Sequence, residues 1–466
     1  MSPLVWSIAG WDDQVLRGSL ADIQTFKAFR VSYRSIICSL TLQDTNLYRW
    51  GEPIGSDALE SQLLQAYQIA RPSWVKIGLL LDINTIQLLA SFFKKHPIPI
   101  VLDPILGPSF GQTIYTGSMK QALICDLLPL VTVLTPNLQE AKWLTDSTDR
   151  YGPALLDMGP KSVVVKSVEK NKRVYDVCYE KNKKLIWIGS NYLKLDRPVP
   201  GTGCRFSAAL TAMLAKNKSI TQSMLSAKRW VIRDFSQTKQ PFPHCGLLEN
   251  ESFLQLNKPL GLYAIVSTLK EIELLSKLGV TTFQLRIKDE NLYVISNEIR
   301  ESVLFCKEQN LTLFVNDYWE LAIEHHASGV HVGQDDLMAC DLKALRAAGL
   351  RLGVSTHSQV ELATALRVRP SYIALGPIFK TNSKQMPYSP QGLARLKQWK
   401  RWIQQPLVAI GGINERNFMS VLCCKPDGIA MISGLKVEPH VIRYYIQAIE
   451  RERICNAMPR MSICQK

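Results

Sequence analysis

The chain has 466 residues, 46% hydrophobic and 20% charged, a balance that excludes extended disorder and leaves enough surface to bury for two or three domains. No apolar run approaches the ~18 residues of a membrane span, and the start, with Asp12-Asp13 and no basic leader, does not read as a secretory signal. The net charge of +15 is scattered in short clusters such as residues 181–184, without zinc-finger, helix-turn-helix or RNP-like patterns; small phosphorylated substrates account for it, and no nucleic-acid or membrane partner is expected.

In chain order, the first half shows short buried-strand runs at Val5–Ala9, Ser35–Leu40, Val75–Gly78, Ile98–Leu102, Val131–Leu134 and Ser162–Lys166, separated by helical stretches. Arg173–Tyr179 followed by Lys184–Gly189 predicts a β-hairpin, and Gly201-Thr202-Gly203 a helix start. Residues 236–258 are proline-bearing and weakly periodic, and predict a linker. Beyond it, apolar segments begin near Leu262, Phe283, Leu311, Gly329, Leu352, Tyr372, Leu407 and Gly428, with amphipathic stretches between most of them. That alternation predicts a (β/α)8 barrel; a doubly wound sheet stays open, since periodicity cannot show closure. The tail after Arg451 is basic and weakly patterned, and is expected to fray.

Polar groups gather just past these second-half runs. Gln284-Leu285-Arg286-Ile287-Lys288, Asn316-Asp317, Gln334-Asp335-Asp336, Ser355, Thr381-Asn382-Ser383-Lys384 and Gly411-Gly412 each follow an apolar segment. A barrel builds its site from loops at one face, so such residues converge there. Arg286 and Lys288 suit phosphates, one as a fork and the other as a point charge. Asp317 and Asp336 follow two successive candidate strands and suit one shared Mg2+, which takes one or two carboxylates plus substrate phosphate and water. Gln284 and Asn316 suit the polar edge of a heterocycle. Gly411-Gly412 and Ser433-Gly434 suit a phosphate held by backbone N–H groups. His331 and His357, beside apolar strand ends, read as structural.

These motifs resemble thiamine-phosphate synthase, whose QLRxK, Asn-Asp, GVHxGQxD, GVSTH, ALGPIF and AIGGI stretches correspond to Gln284–Lys288, Asn316-Asp317, Gly329–Asp336, Gly353–His357, Ala374–Lys384 and Ala409–Ile413. The resemblance spans about Gly261 to Gly434. It implies a pyrimidine diphosphate held by Gln284, Leu285, Arg286, Ile287, Lys288, Asn316, Ser355 and Lys384. Of these, Ser355 and Lys384 assist the departing pyrophosphate. It further implies Mg2+ on Asp317 and Asp336, and a thiazole phosphate on Thr381, Asn382, Ser383, Gly412, Ile432 and Ser433.

The first half has its own strand-end set: Asp103, Thr135 with Asn137 and Glu140, Lys166, and the glycines of Gly201-Thr202-Gly203-Cys204, whose helix start is an anion hole in form. With Lys76 in Trp74–Gly78 and with Gln43, these residues resemble hydroxymethylpyrimidine/phosphomethylpyrimidine kinase, of the ribokinase-like fold, over about Leu4 to Asp234. The resemblance implies Cys204 as catalytic base and Gln43 on the pyrimidine. Asn137, Lys166, Gly201, Thr202 and Gly203 would lie on the ATP side, with acidic groups near Asn137 and Glu140 serving Mg2+. The chain departs from the family's AGSDPSGGAGIQADLKTF opening: residues 9–26 keep its length and flanks, but Val15-Leu16 stand where the family has small residues. A loop that closes on substrate cannot take them without a change of backbone or pocket. Ser167, too, follows Lys166 where the family has glycine.

The expectation is an α/β protein with a ribokinase-like domain (1–235), a linker (236–258) and a TIM-barrel domain (259–466). It would make thiamine phosphate from phosphorylated pyrimidine and thiazole substrates with Mg2+ and ATP. The alternative keeps the synthase and makes the first domain a degenerate pyrimidine-binding or scaffold module. Eleven cysteines with neither CxxC nor metal-spaced histidines suit reduced thiols and a cytoplasmic location. Homo-oligomerisation stays open.

Overall fold

Apolar runs without polar alternation need a sheet covered on both faces. In the computed structural model they become β1 (Leu4–Trp11), β2 (Ser32–Gln43), β3 (Tyr48–Pro53), β4 (Trp74–Ile77), β5 (Ile100–Leu102), β6 (Val133–Leu134), β7 (Ser162–Lys170), β8 (Arg173–Glu180), β9 (Ile186–Gly189) and β10 (His244–Cys245). They form one ten-stranded sheet in the order β10-β9-β8-β7-β6-β5-β4-β1-β2-β3. Strands β1, β2, β4, β5, β6 and β7 are parallel, with antiparallel strands at both edges. The expected hairpin is β8–β9. The structure describes residues 2–12, 17–43, 48–107, 114–190, 201–235, 242–288, 291–381 and 388–457, without the side chains of 43, 48–49, 234–235 and 456–457.

The helix Thr202–Ala215 starts where expected. Gly201 caps it at φ +77°, in the left-handed region that glycine enters without strain. Ala208, Ala212 and Ala215 from this helix pack with Val5, Phe26 and Val31. The small alanines let the helix lie close to the strand, which carries its N-terminus to the sheet's C-terminal edge, where ligands bind in parallel α/β sheets.

The eight second-half runs become β11 (Gly261–Val266), β12 (Thr282–Leu285), β13 (Thr312–Asn316), β14 (Gly329–Val332), β15 (Arg351–Thr356), β16 (Tyr372–Leu375), β17 (Leu407–Ile410) and β18 (Gly428–Met431). All are parallel, and β11 pairs with β18 to close the barrel. Tyr263, Ile265, Phe314, Tyr372, Ala374, Val408 and Ala430 form its core. Large rings demand small neighbours: a Cβ on Gly353 would lie 2.1 Å from Tyr372, so glycine there is a packing requirement.

The chain divides into two compact units, Met1–Leu247 and Leu248–Lys466. The boundary falls inside the segment 236–258 expected as a linker, and that segment is structured where described: His244 and Cys245 pair with β9, while Phe253 is buried and its N–H donates to the Arg369 carbonyl. A two-residue strand and one anchoring ring are too short to leave a periodic signal. Past Arg451 the helix Pro439–Ala457 continues, and Arg453 donates to the Asp427 carbonyl at 3.4 Å; the rest of the tail, 458–466, lies outside the described residues. Among the described residues, no helix is long and apolar enough to cross a membrane.

Candidate active sites

At the C-terminal ends of β12 to β15 the barrel brings together Gln284, Arg286, Asn316, Asp317, His331, Asp336 and Ser355. Gln284 is buried at the end of β12, and its Nε2 donates to Tyr263 Oη at 3.2 Å. Leu285 is also buried, its side chain in the apolar interior, so it can face a ligand only through its backbone. Arg286 is half-buried and Lys288 exposed. Ser355 Oγ lies 2.8 Å from His331 Nε2, and Gln334 Nε2 holds the Ser355 carbonyl at 2.6 Å.

Asp317 takes φ +66°, the left-handed region, where Asp is tolerated better than bulkier residues but still costs ~1–2 kcal/mol. Its N–H donates to the His331 carbonyl, and Asn316 Nδ2 donates to its carboxyl at 2.5 Å. Partial burial and then the Asp336 carboxylate raise its pKa to about 6, the two side chains being in hydrogen-bond contact. Two carboxylates this close share a proton or a cation, so the pair fits Mg2+. Among the described residues no group of three or more His, Cys, Asp or Glu gathers as a metal cage. An ion here would draw its remaining ligands from substrate and water, as Mg2+ commonly does.

His331 is buried in the barrel and adjoins the site, its two ring nitrogens 2.8 Å from Tyr372 Oη and Ser355 Oγ. Burial and then the Arg286 charge lower its pKa to about 4, so it is neutral at pH 7. His357 accepts or donates at Glu361 (2.8 Å) and stacks on Tyr388 at 4.2 Å. Gly412 sits at φ +67° with the Phe379 and Lys380 carbonyls where a Cβ would be. Ile432 and Ser433 are exposed past β18. Thr381 is described; Asn382, Ser383 and Lys384 lie outside the described residues, as do Val15, Leu16 and the Gln43 side chain.

In the first unit, Asp103 and Thr135 directly follow β5 and β6, Lys166 stands at the bulge midway along β7, and the three meet beneath the helix start. Lys166 Nζ is 2.6 Å from Asp103 Oδ1, and Ser207 Oγ donates to Asp103 Oδ2 at 3.1 Å. A Cβ on Gly203 would lie 3.2 Å from Lys166 Nζ, so the glycine turn rests on the lysine. Burial opposes the Lys166 ammonium, but the Asp103 and Glu140 carboxylates outweigh it and raise its pKa. Burial raises Glu140 to about 7, against the pull of Lys166.

Asn137 and Glu140 form a reciprocal capping box on the helix Leu138–Thr145: Glu140 N–H donates to Asn137 Oδ1 at 2.8 Å, and Asn137 N–H to Glu140 Oε2 at 2.6 Å. Cys204 is buried, and burial raises its thiol pKa while Lys76 works against the rise. Ser167 takes φ +59° and donates its N–H to Asp176 Oδ1 at 3.1 Å.

Sequence reasoning gave Lys76 no role of its own and missed a pair of core tyrosines. Lys76 is fully buried and paired with Asp22 at 3.0 Å, with Ser7 donating to the same carboxylate oxygen. The available signal was a lysine inside an apolar strand, which burial permits only beside a carboxylate. In the barrel it missed Tyr263 and Tyr372, whose hydroxyls are 2.8 Å apart in the core. There the signal was a phenol on an inward strand position.

Residues 262–435 match the family described as thiamine monophosphate synthase, and residues 17–246 match phosphomethylpyrimidine kinase. A thiamine-phosphate synthase of Proteus mirabilis is 46% identical over 187 residues, covering 40% of this chain and 87% of that protein. One from Shigella boydii is 49% identical over 177 residues, covering 38% and 84%. Among solved structures, a phosphomethylpyrimidine kinase from Clostridium difficile aligns at 26% identity and TM-score 0.44, covering 50% of this chain and 100% of that one. A pyridoxal kinase from Staphylococcus aureus, in complex with AMP-PCP and pyridoxal, aligns at 26% and 0.45, covering 50% and 87%.

Proposed function

Since the chain belongs to the thiamine-phosphate synthase family and carries a phosphomethylpyrimidine kinase domain ahead of that barrel, we propose that its two sites act in sequence on one pyrimidine. Both halves are transferase domains of thiamine biosynthesis. The first site would phosphorylate hydroxymethylpyrimidine or its phosphate with ATP. The second would join the diphosphate to thiazole phosphate.

The observation that carries the synthase reading is the meeting of Ser355, Arg286 and the Asp317–Asp336 pair at one barrel mouth. In the reaction the bond from the pyrimidine methylene carbon to the diphosphate oxygen breaks, and its electron pair leaves with pyrophosphate. The thiazole nitrogen then supplies the pair for the new C–N bond. Negative charge grows on the leaving group, so donors and cations aimed there lower the barrier most. The Ser355 hydroxyl donates a hydrogen bond to that oxygen, and Arg286 and Lys288 bind the phosphates. Lys384 takes the same task by resemblance. Bound Mg2+ would add positive charge between Asp317, Asp336 and the diphosphate. Gln284 and Asn316 orient the ring. Thr381, Asn382, Ser383, Gly412, Ile432 and Ser433 receive the thiazole phosphate.

In the first unit, Gly201, Thr202 and Gly203 offer N–H groups to the transferring phosphoryl, backed by Lys166. Asn137 and Glu140 flank the nucleotide and its Mg2+, Gln43 meets the pyrimidine, and Cys204 Sγ as thiolate accepts the proton of the substrate hydroxyl. The buried, proton-holding Cys204 favours a second reading, in which this unit only binds pyrimidine.

One experiment separates the two. The full chain receives ATP, Mg2+, hydroxymethylpyrimidine and thiazole phosphate, then the pyrimidine diphosphate in place of pyrimidine and ATP. Thiamine phosphate in both arms supports the two-step reading. Product in the second arm alone leaves a synthase with a binding module, and product in neither refutes the proposal.

A further inference from the structure

Five polar side chains form one hydrogen-bonded line through the barrel core. Gln284 Nε2 donates to Tyr263 Oη (3.2 Å), and Tyr263 Oη is 2.8 Å from Tyr372 Oη. Tyr372 Oη is in turn 2.8 Å from His331 Nδ1, and His331 Nε2 is 2.8 Å from Ser355 Oγ. All but Ser355 are buried. The ends have different tasks under the synthase reading, on which the inference rests: Gln284 meets the heterocycle and Ser355 the leaving diphosphate. Packing alone does not call for the line. Phenylalanine would fill either tyrosine position without a buried hydroxyl to satisfy.

Counting donors gives the line a direction. Tyr263 accepts from Gln284, so its own proton has Tyr372 Oη as acceptor, and the Tyr372 proton goes to His331 Nδ1. A neutral imidazole carries one N–H, which then sits on Nε2 and points at Ser355 Oγ. The Ser355 proton is left for a partner outside the line. At the other end Gln284, with its NH2 turned inward, presents Oε1. Reversing any one bond alone sets two donors, or two acceptors, against each other in a buried place, so the line reverses only as a whole.

We propose that this line couples recognition of the two ends of the pyrimidine substrate. A diphosphate oxygen accepting from Ser355 holds the direction in which Gln284 offers Oε1, selecting a ring with an amino donor there over one with a carbonyl oxygen. In the opposite direction Ser355 would offer the anion only lone pairs, and Gln284 would offer the ring an NH2. Tyr263 and Tyr372 are positioning residues; neither needs to touch the reacting atoms.

The test uses the full chain as wild type, Tyr263→Phe, Ser355→Ala and the double variant, with thiazole phosphate and either the aminopyrimidine diphosphate or its oxo analogue. Expected for the wild type is a preference for the amino substrate of about a hundredfold or more in kcat/KM, since a buried amide set for one partner rejects the other. Tyr263→Phe should narrow that preference by about tenfold, the scale of one lost hydrogen bond, and leave KM for thiazole phosphate unchanged. In the Ser355→Ala background it should change kcat by no more than about twofold, because members of one unit are not additive. An unaltered preference, or two costs that simply multiply, overturns the line while leaving the synthase reading intact. A wild type that makes no thiamine phosphate overturns both. If melting shows Tyr263→Phe unfolded, Tyr372→Phe replaces it, with the same shift expected and the same results counting against it.

Discussion

At the scale of single residues, Asp317 joins backbone strain to a perturbed charge. Its raised pKa has a definite sign. A carboxyl that holds its proton more tightly folded than unfolded stabilises the fold below its ordinary pKa of 3.8 and loses that contribution as pH rises through about 6. Chemical denaturation of the ligand-free protein should therefore show barrel stability declining across that window, and Mg2+ should lessen the decline. Asp317→Asn should flatten it, since Asn keeps the shape and tolerates the left-handed backbone. The same variant should cut synthase kcat about a hundredfold or more, the cost of one group lost from transition-state charge stabilisation. Cys204 makes the opposite prediction for the first site. With the thiol pKa raised by burial, a thiolate base is scarce at pH 7. The kinase rate should climb as pH rises past neutrality, and Cys204→Ser should abolish the climb. A flat pH–rate profile from an active kinase would remove Cys204 from that role.

Among the elements, the helix Leu138–Thr145 does two jobs with one pair of residues. Asn137 and Glu140 cap each other, and Glu140 also faces the Lys166–Asp103 pair. Asn137→Ala should cost ~1 kcal/mol of first-unit stability, measured by denaturant midpoint. Glu140→Gln separates cap from charge, since Gln serves equally in a capping box. Glu140 titrates near 7 against an ordinary 4.5, so it destabilises the fold as pH climbs between those values, and the Gln variant should be level there. Asn137 and Glu140 were legible as polar groups just past a strand, because that placement is local in sequence. Their proximity to Lys166 was not, since that contact arises from neighbouring strands β6 and β7 bringing distant segments side by side.

Over the whole molecule, two units with separate candidate sites predict separate responses to ligand. In calorimetry, Mg2+ with pyrophosphate should raise one unfolding transition and ADP another, each by ~2.7 kcal/mol at a hundredfold excess over Kd. A single transition moved equally by both would count against two independent sites. The eight barrel strands, the β8–β9 hairpin, the helix start at Gly201 and the polar residues at strand ends follow from the sequence by itself. Each rests on apolar runs and turn chemistry within a few neighbours. Tertiary structure alone decided that β11 meets β18, that Lys166 stands on Asp103 63 residues away, and that Tyr263 reaches Tyr372 across 109 residues. It also set the pairing of His244 and Cys245 with β9 inside the segment where the two units divide. Local periodicity records which face of a segment is buried. Which partner buries it depends on closure and register across the whole chain, and at these sites that choice sets which charges and hydroxyls meet.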